Sequence, residues 1–530
     1  LDIATLLIAI PVAVPVLVIA SAVFIPSTEA YLHIQENLLA EYVSNTLQLM
    51  ILTGILTCIF GGLTAWLTVQ YQFPLNRWLA AGLVLPLALP TYIAGYVYAD
   101  LLEYSGPVQS ALRDFTGWGY GDYAFPAIRS LPGAALVMSL VLYPYVYLLV
   151  RANLEAQSAT LNHAANVLGV SGFGLMRRVT IPLARPALAG GAALVLMEAV
   201  AEFGLVKHFG VPTLTTGVYR TWLAMGERDA ALKLAGSLFM IVVVLIALEQ
   251  MTRQKGDYNL LTGQAGAHKR KLSGIRAWLA TLFCLMPILL GFLLPVGILI
   301  NYAWTVGDPL FGRSFTDFIN NSLTLAALVS GLCVAGAVCL AYANRSHQNW
   351  ATRGGVRVAT LGYAIPGLIL ATGALMPLTM VDRWLANQFE SINSLVMTGS
   401  IGALLFVFVA RFMTVSFNTV DGGLKQVHPS LEQAASSLGA DRFRVLQAVH
   451  LPLLRGSLVY AGILVFIDTL KELPATLILR PFNFETLATR VYRLASDERI
   501  AEASMAAILI VCLSLIPTLV IVRQRLRGSV

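Results

Sequence analysis

The chain has 530 residues, of which 57% are hydrophobic and only 12% charged, with a mean hydropathy of +0.74 and a formal net charge of +7. A soluble domain carries about 25% charged residues, so a water-facing globule is excluded and the solvent for most of the surface is lipid. The positive charge does not imply nucleic acid, because Lys and Arg of a lipid-embedded chain collect in loops that stay in the cytoplasm.

Apolar runs near the roughly twenty residues that a helix needs to cross a ~30 Å hydrocarbon core recur throughout. In chain order they predict twelve spans, at 5–25, 46–70, 79–101, 132–152, 183–204 and 231–251, then at 277–302, 321–343, 357–380, 397–420, 456–475 and 501–522. Backbone satisfaction in lipid allows only helices or closed barrels, and these runs are too long and continuous for barrel strands. The first run has no basic region before it and no small-residue cleavage site, so it reads as a retained span and not a signal peptide. Cys58, Cys284, Cys333, Cys339 and Cys512 lie in apolar runs without metal-ligand spacing. They read as small buried apolar residues, and no stable metal site is expected.

Charge sets the orientation. Segment 26–45 holds Glu29, Glu36 and Glu41 and no Lys or Arg. Segment 251–276 holds Arg253, Lys255, Lys269, Arg270, Lys271 and Arg276 against Asp257; segment 343–357 holds Arg345, Arg353 and Arg357; the tail holds Arg523, Arg525 and Arg527. Twelve alternating spans put both termini and these basic segments in the cytoplasm. The polar region 252–275 reads as a cytoplasmic linker between a first transmembrane half, 1–251, and a second, 276–530.

The two halves are an internal repeat. At an offset of 276, Pro11 matches Pro287, Asn45 matches Asn321, and Leu89-Pro90 matches Ile365-Pro366. Later the offset is 270, and NHAANVLGVSGFGLMRRVTIPLARP (162–186) aligns without gaps on EQAASSLGADRFRVLQAVHLPLLRG (432–456). Six spans return a chain to its starting side. The expected fold is therefore an all-α integral membrane protein of about twelve helices, in two parallel six-helix repeats related by a pseudo-two-fold axis along the membrane normal. Two equivalent loops then face the cytoplasm, which suits a two-fold symmetric partner.

In the second loop Leu431, Ala434, Ala435 and Leu438 recur at three- and four-residue spacing, one face of a short helix. Gly439 stands at the expected C-cap, and Pro452 opens the next span. The first loop repeats this plan with Leu161, Ala164, Ala165, Leu168, Gly169, Phe173 and Pro182. Surface-lying helices are the plain alternative. The pattern A-A-x-x-L-G, then Phe, then [IL]-P, resembles the EAA motif of ABC importer permeases. The resemblance implies that His163, Ala164, Ala165, Leu168, Gly169, Phe173 and Pro182, and likewise Gln433, Ala434, Ala435, Leu438, Gly439, Phe443 and Pro452, form loops whose short coupling helices dock on an ATP-hydrolysing subunit. His163 and Gln433 occupy the family's Glu position, with Glu432 one place earlier. No G-x-x-x-x-G-K-[ST] phosphate loop occurs, so the chain is not expected to be an enzyme. No cofactor is expected on it, with ATP and Mg on a separate ATPase subunit.

Acids within spans are costly and mark functional paths. Glu198 and Glu202 lie i,i+4 in the fifth span, and Asp468 and Glu472 match them in the eleventh at the 270 offset. With Tyr92, Tyr96 and Tyr98 they suggest a translocation path for a cation, since hard cations favour oxygen ligands. The alternative is a gate of charge pairs with Lys471 or Lys207. The runs LPLALPTYIAGYVYADLL (85–102), SLVLYPYVYLLVRANL (139–154), AEFG (201–204), KELPATLILRPFNFETLATRVY (471–492) and ASDERIAEASMAA (495–507) look like those of bacterial ferric-iron importer permeases. That resemblance implies a bacterial inner-membrane location, a periplasmic iron-binding protein, a homodimer of ATP-binding subunits on the cytoplasmic face, membrane lipid and no nucleic acid. Thiamine, polyamine and phosphonate importers share the architecture, and a gradient-driven secondary transporter is the alternative from another class.

Overall fold

The computed structural model describes residues 2–119, 121–156, 174, 177, 181–254, 269–346, 349–389 and 395–527. It is almost entirely helical; the described strand pairing is one short parallel pair, Tyr71 opposite Arg270 and Gln72 opposite Lys271. Among the described residues ten helices are long and apolar enough to cross a membrane. The third expected span is instead a bent pair, Asn76–Ala88 and Thr91–Thr116, meeting at 92°, and the twelfth is the shorter apolar stretch Ile500–Ile516.

Proline explains the broken third span. The residue before a proline is pushed to extended backbone. Leu89 before Pro90 has ψ 119°, and Ile365 before Pro366 has ψ 121°. Regular helix resumes only at Thr91 and at Gly367. The repeated Leu-Pro and Ile-Pro pairs thus mark the same break in both halves, and the ninth span runs over Gly367–Gln388 and not 357–380. Ahead of it, Trp350–Ala359 is a separate helix, capped by the Asn349 side chain, which accepts from Thr352 N at 2.8 Å.

Several hydroxyls inside the spans are satisfied by their own helix. In the Leu39–Gln70 helix, Thr57, Thr64 and Thr68 are buried and donate to the carbonyls of Thr53, Phe60 and Thr64 at 2.8, 2.6 and 2.8 Å. A hydroxyl bonded to its own helix needs no partner from a neighbour, so this face packs in lipid-like surroundings at little cost.

Contacts divide the chain into two compact units, and neither is a contiguous half. One unit comprises Leu1–Ile34, Gly217–Phe239 and Pro309–Arg493. Its core is the mutual packing of Arg313–Ser346, Gly402–Gln426 and Leu451–Lys471, with Leu340, Met413, Val420 and Leu454 buried between them. The first helix of the chain, Asp2–Ser21, packs on Trp350–Ala359 and Gly367–Gln388 within this unit. The other unit comprises Gln35–Thr216, Met240–Asp308 and Leu494–Val530. Its core is Leu39–Gln70 with Leu131–Ala156 and Ile181–Ala201, and there Leu294–Thr305 packs on the last helix, Ile500–Arg527. Equivalent helices of the repeat form both cores, while the opening helix of each half belongs to the unit built mainly from the other half.

Candidate functional site

The first candidate loop lies mostly outside the described residues: His163, Ala164, Ala165, Leu168, Gly169 and Phe173 are among the undescribed positions, and only Pro182, near the start of the Ile181–Ala201 helix, is described. The second is described throughout. His428 caps the Pro429–Ser437 helix, its ring nitrogen Nδ1 accepting from Ser430 N at 3.3 Å. The helix ends at Gly439 with φ +81°, where Gly439 N donates to Ser436 O at 3.0 Å and Ala440 N to Ala435 O at 3.1 Å. This pair of bonds closes a helix through a left-handed residue, as the Gly position predicts. Asp441 then caps the next turn, accepting from Arg444 N at 2.8 Å. A widened π turn, Leu446–His450, precedes the Leu451–Lys471 helix. The widening falls just before Pro452, which has no N–H and whose ring crowds a regular preceding turn.

No residue of the Pro429–Ser437 helix is buried. Leu438 is 89% exposed and Phe443 64% exposed, while Gln433 and Ala434 also face out and Ala435 is half-buried. Underneath, Glu432 is held from two sides. Arg345 Nε lies 2.5 Å from Glu432 Oε1, and His450 Nε2 lies 2.9 Å from the same oxygen. Arg345 also donates through Nη2 to Val427 O at 2.8 Å and through Nη1 to Leu424 O, carbonyls at the end of the Gly402–Gln426 helix. Tyr342 donates its hydroxyl to Arg442 O at 2.7 Å. The exposed helix and the Arg442–Val445 turn after it are therefore bolted to the end of the 34-residue Arg313–Ser346 helix. Glu432 spends its charge inside the chain, and none of these three partners is duplicated: Val69, Asn162 and Thr180 stand at the positions matching Arg345, Glu432 and His450.

The intramembrane carboxylates divide between the two units, Glu198 and Glu202 in one and Asp468 and Glu472 in the other. Glu202 follows the Ile181–Ala201 helix, accepts from the Thr91 hydroxyl, and accepts from Leu205 N at 3.0 Å. Glu472, 6% exposed, accepts from Ala475 N at 3.2 Å and Thr476 N at 3.4 Å, and Arg411 Nη1 lies 3.7 Å away. Each glutamate thus caps the short helix that follows its span, Gly204–His208 or Pro474–Leu479. The cation that meets Glu472 is Arg411, where the sequence suggested Lys471 or Lys207. The repeat has exchanged its means of holding the carboxylate. Thr91 becomes Gly367 and Val141 becomes Arg411. A Cβ at Gly367 would collide with Glu472 Oε1 and come within 2.6 Å of Arg411 Nη1, so only glycine leaves room for the ion pair. Glu198 and Asp468 are half-buried along their helices. Tyr92 and Tyr96 are buried with ring centroids 5.8 Å apart, and Tyr98 donates to Leu290 O at 2.5 Å.

No protein-family model matches the chain. Among curated proteins, the Fe(3+)-transport system permease protein FbpB 2 of Haemophilus influenzae is 25% identical over 521 residues, covering 97% of this chain and 96% of that protein. Over nearly its whole length the chain is similar to an Fe(3+)-transport permease. A probable ABC transporter permease protein, y4fN, of Sinorhizobium fredii is 24% identical over 89% of this chain and 84% of its own length. The sulfate transport system permease protein CysT of Salmonella typhimurium is 32% identical, but over only 30% of this chain. The near-complete, co-linear match with the first of these spans both halves of the repeat. With the apolar helices, it makes the chain a multi-pass membrane permease homologue.

A second charged group sits where the Thr91–Leu102 helix ends. Arg129 pairs with Glu103 and, at 3.2 Å, with Glu498, and Tyr302 donates its hydroxyl to Asp100. Together with His208 they line a cavity of about 430 Å³. Tyr96 stacks edge-on against His208 at 4.7 Å. Burial, and secondarily the Arg129 charge, pushes the His208 imidazole down to about 4. The folded chain therefore binds fewer protons here than the unfolded chain, whose imidazole titrates near 6.5. Stability from this site is complete above about pH 6.5 and is lost as the pH falls toward 4. His208→Gln should flatten the fall of the thermal midpoint between pH 6.5 and pH 4. A midpoint that falls as steeply in the variant would place the acid sensitivity elsewhere.

Arg345, His450 and Arg411 were not singled out by sequence reading as members of these sites. Arg345 and Arg411 meet acids far along the chain, Arg345 from a basic segment that fits the positive-inside pattern, while His450 lies at the end of the loop that carries its partner. Two signals were available: at each of these positions the other half carries an uncharged residue, and Arg411 is a charge inside the expected span 397–420.

Proposed function

We propose that the chain is the translocating subunit of an ATP-driven, binding-protein-dependent importer of the bacterial inner membrane, with ferric iron as its cargo. The observation that carries the importer reading is the exposed, internally braced Pro429–Ser437 helix, which with the turn after it leaves Leu438 and Phe443 open to a partner while Arg345 ties it to a membrane-spanning helix. The iron reading is supported by the match to the Fe(3+)-transport permease over nearly both full lengths, against a sulfate permease match confined to about a third of the chain. The basic segments support cytoplasmic termini. A loaded periplasmic binding protein docks outside, and closure of an ATPase dimer is passed through the two loops to the helices, which alternate between outward- and inward-open forms. The loops Gln433–Pro452 and His163–Pro182 are the coupling surfaces. The half-buried Glu198 and Asp468, with Tyr92 and Tyr96, are the groups assigned to the path. Glu202 and Glu472 complete the assigned set and also hold the breaks that follow their own spans.

The test is uptake into proteoliposomes holding the chain, its ATPase and its binding protein. Radiolabelled Fe(III) is supplied, with thiamine and sulfate as competitors. ATP-dependent iron uptake that neither competitor lowers is expected. Uptake of sulfate or thiamine in place of iron would keep the importer and overturn the cargo. Uptake without ATP would favour a gradient-driven carrier and overturn the coupling role of the loops.

A further inference from the structure

On the face that the basic segments assign to the cytoplasm, one compact unit contains a cavity of about 730 Å³. It is lined by Arg345, Arg353, Arg357 and Lys425, with Asp421 and Glu432 as the acidic members. Both carboxylates are already engaged. Asp421 Oδ2 lies 2.7 Å from Lys425 Nζ, and Glu432 is held by Arg345 and His450. The lining therefore keeps an excess of two positive charges. Arg353 and Arg357 stand one turn apart on the outer face of the Trp350–Ala359 helix, whose inner face buries Thr352, Val356 and Ala359. Arg357 has no acidic partner among the described residues. Trp350, at the start of the same helix, is 87% exposed.

Each feature favours the same ligand chemistry. Paired guanidinium groups bind phosphate oxygens bidentately. A short helix with an apolar inner face, arginines outside and an exposed tryptophan at its end has the composition of an element at the membrane–water boundary. A basic pocket between helices at the cytoplasmic leaflet receives phospholipid headgroups. The charge is also particular to this half. The positions matching Arg345, Arg357 and Lys425 hold Val69, Ala81 and Glu155, and only Arg353 has a cationic match, Arg77. The i,i+4 pair Asp421–Lys425 even appears with reversed signs as Arg151–Glu155. A surface serving a symmetric partner has no need of such one-sided charge.

We propose that this cavity binds a phosphate group, supplied by the headgroup of an anionic phospholipid of the cytoplasmic leaflet. The site uses no residue of the cargo path and stands whatever the cargo is. Because Arg345 lines the cavity and also holds Glu432, an occupying headgroup lies next to the brace of the Pro429–Ser437 helix.

The experiment compares the full-length purified chain with Arg353→Gln/Arg357→Gln, with Arg357→Gln alone, and with Arg77→Gln as the matched control from the other half. Thermal midpoints in neutral detergent are recorded while phosphatidylglycerol, phosphatidylcholine or inorganic phosphate is added, and retained lipids are counted by native mass spectrometry. Phosphatidylglycerol should raise the wild-type midpoint saturably and remain bound. The apparent affinity should fall at least tenfold in the double variant, less in Arg357→Gln, and not at all in Arg77→Gln. Equal shifts with phosphatidylcholine, or equal phosphatidylglycerol retention by wild type and both pocket variants, would overturn the site. Saturable stabilisation by inorganic phosphate that the double variant loses would keep the phosphate site and overturn lipid as its source. The exposed position of Arg357 makes the single variant informative even if the double variant folds poorly.

Discussion

Replacing Arg411 by methionine should lower the stability of the solubilised chain by about 3 kcal/mol, because removing one partner of a buried pair leaves the other charge uncompensated. Glu472 has its side chain 3% exposed and Arg411 12% exposed, so neither can be rescued by water without a local opening. The loss should exceed that of any surface substitution and should be read as a lowered thermal midpoint and reduced yield of monodisperse protein. Adding Glu472→Gln to the Arg411→Met chain should recover much of it, since the amide oxygen can still accept from Ala475 and Thr476 while the stranded charge is gone. Gly367→Thr, which restores the residue found at the matching position of the first half, should be as damaging as Arg411→Met, because the new side chain enters the space held by Glu472 and Arg411. In the first half the reciprocal change is mild: Thr91→Gly removes a hydroxyl donor from Glu202 but leaves its bond from Leu205 N. Equal midpoints for wild type and Arg411→Met would show that the backbone donors alone hold the carboxylate.

Replacing Arg345 by alanine should release the Pro429–Ser437 helix. The change removes the ion pair to Glu432 and frees the carbonyls of Leu424 and Val427. Hydrogen bonds to a charged group contribute about 1.5–3 kcal/mol each before relaxation, and this part of the chain is partly exposed, so a local cost of about 2 kcal/mol is expected rather than their sum. The measurement on the chain alone is amide exchange: protection across 429–438 should fall by one to two orders of magnitude, with the spans unchanged. In the assembled importer, ATP hydrolysis should persist while ATP-dependent uptake falls about tenfold or more, the signature of a coupling element that still docks but no longer transmits. Gly439→Ala should act more weakly and by another route. A Cβ there meets nothing within 4 Å, so its cost is only that of a left-handed backbone, about 1 kcal/mol. Unchanged exchange and uptake in Arg345→Ala would remove the brace from the mechanism.

Where a site was legible in the sequence, the reason was local. Leu89-Pro90 and Ile365-Pro366 were legible as matched pairs of the repeat, although apolar run length carried the expected spans 79–101 and 357–380 straight through them and the structure breaks both. Gly439 closes its helix because the backbone must turn left-handed there, with Leu438 before it and Phe443 in the next turn both uncovered. The spans follow from the length of apolar runs. The repeat identifies the two loops as equivalent, and it points to Glu202 and Glu472 as equivalent acids. What the pattern could not say is what those acids touch.

The sequence by itself determined the all-helical membrane class and the two-fold duplication, because each depends on composition or on neighbours along the chain. The tertiary structure alone decided that Asp2–Ser21 packs on Trp350–Ala359 and Gly367–Gln388, that Glu432 turns inward to Arg345 and His450, and that Glu472 meets Arg411 across Gly367. These contacts join residues far apart in the chain. In a medium where almost every helix face is apolar, hydropathy does not distinguish one helix neighbour from another. The choice falls to close packing and to a few buried charges, whose partners are fixed only when the helices are assembled.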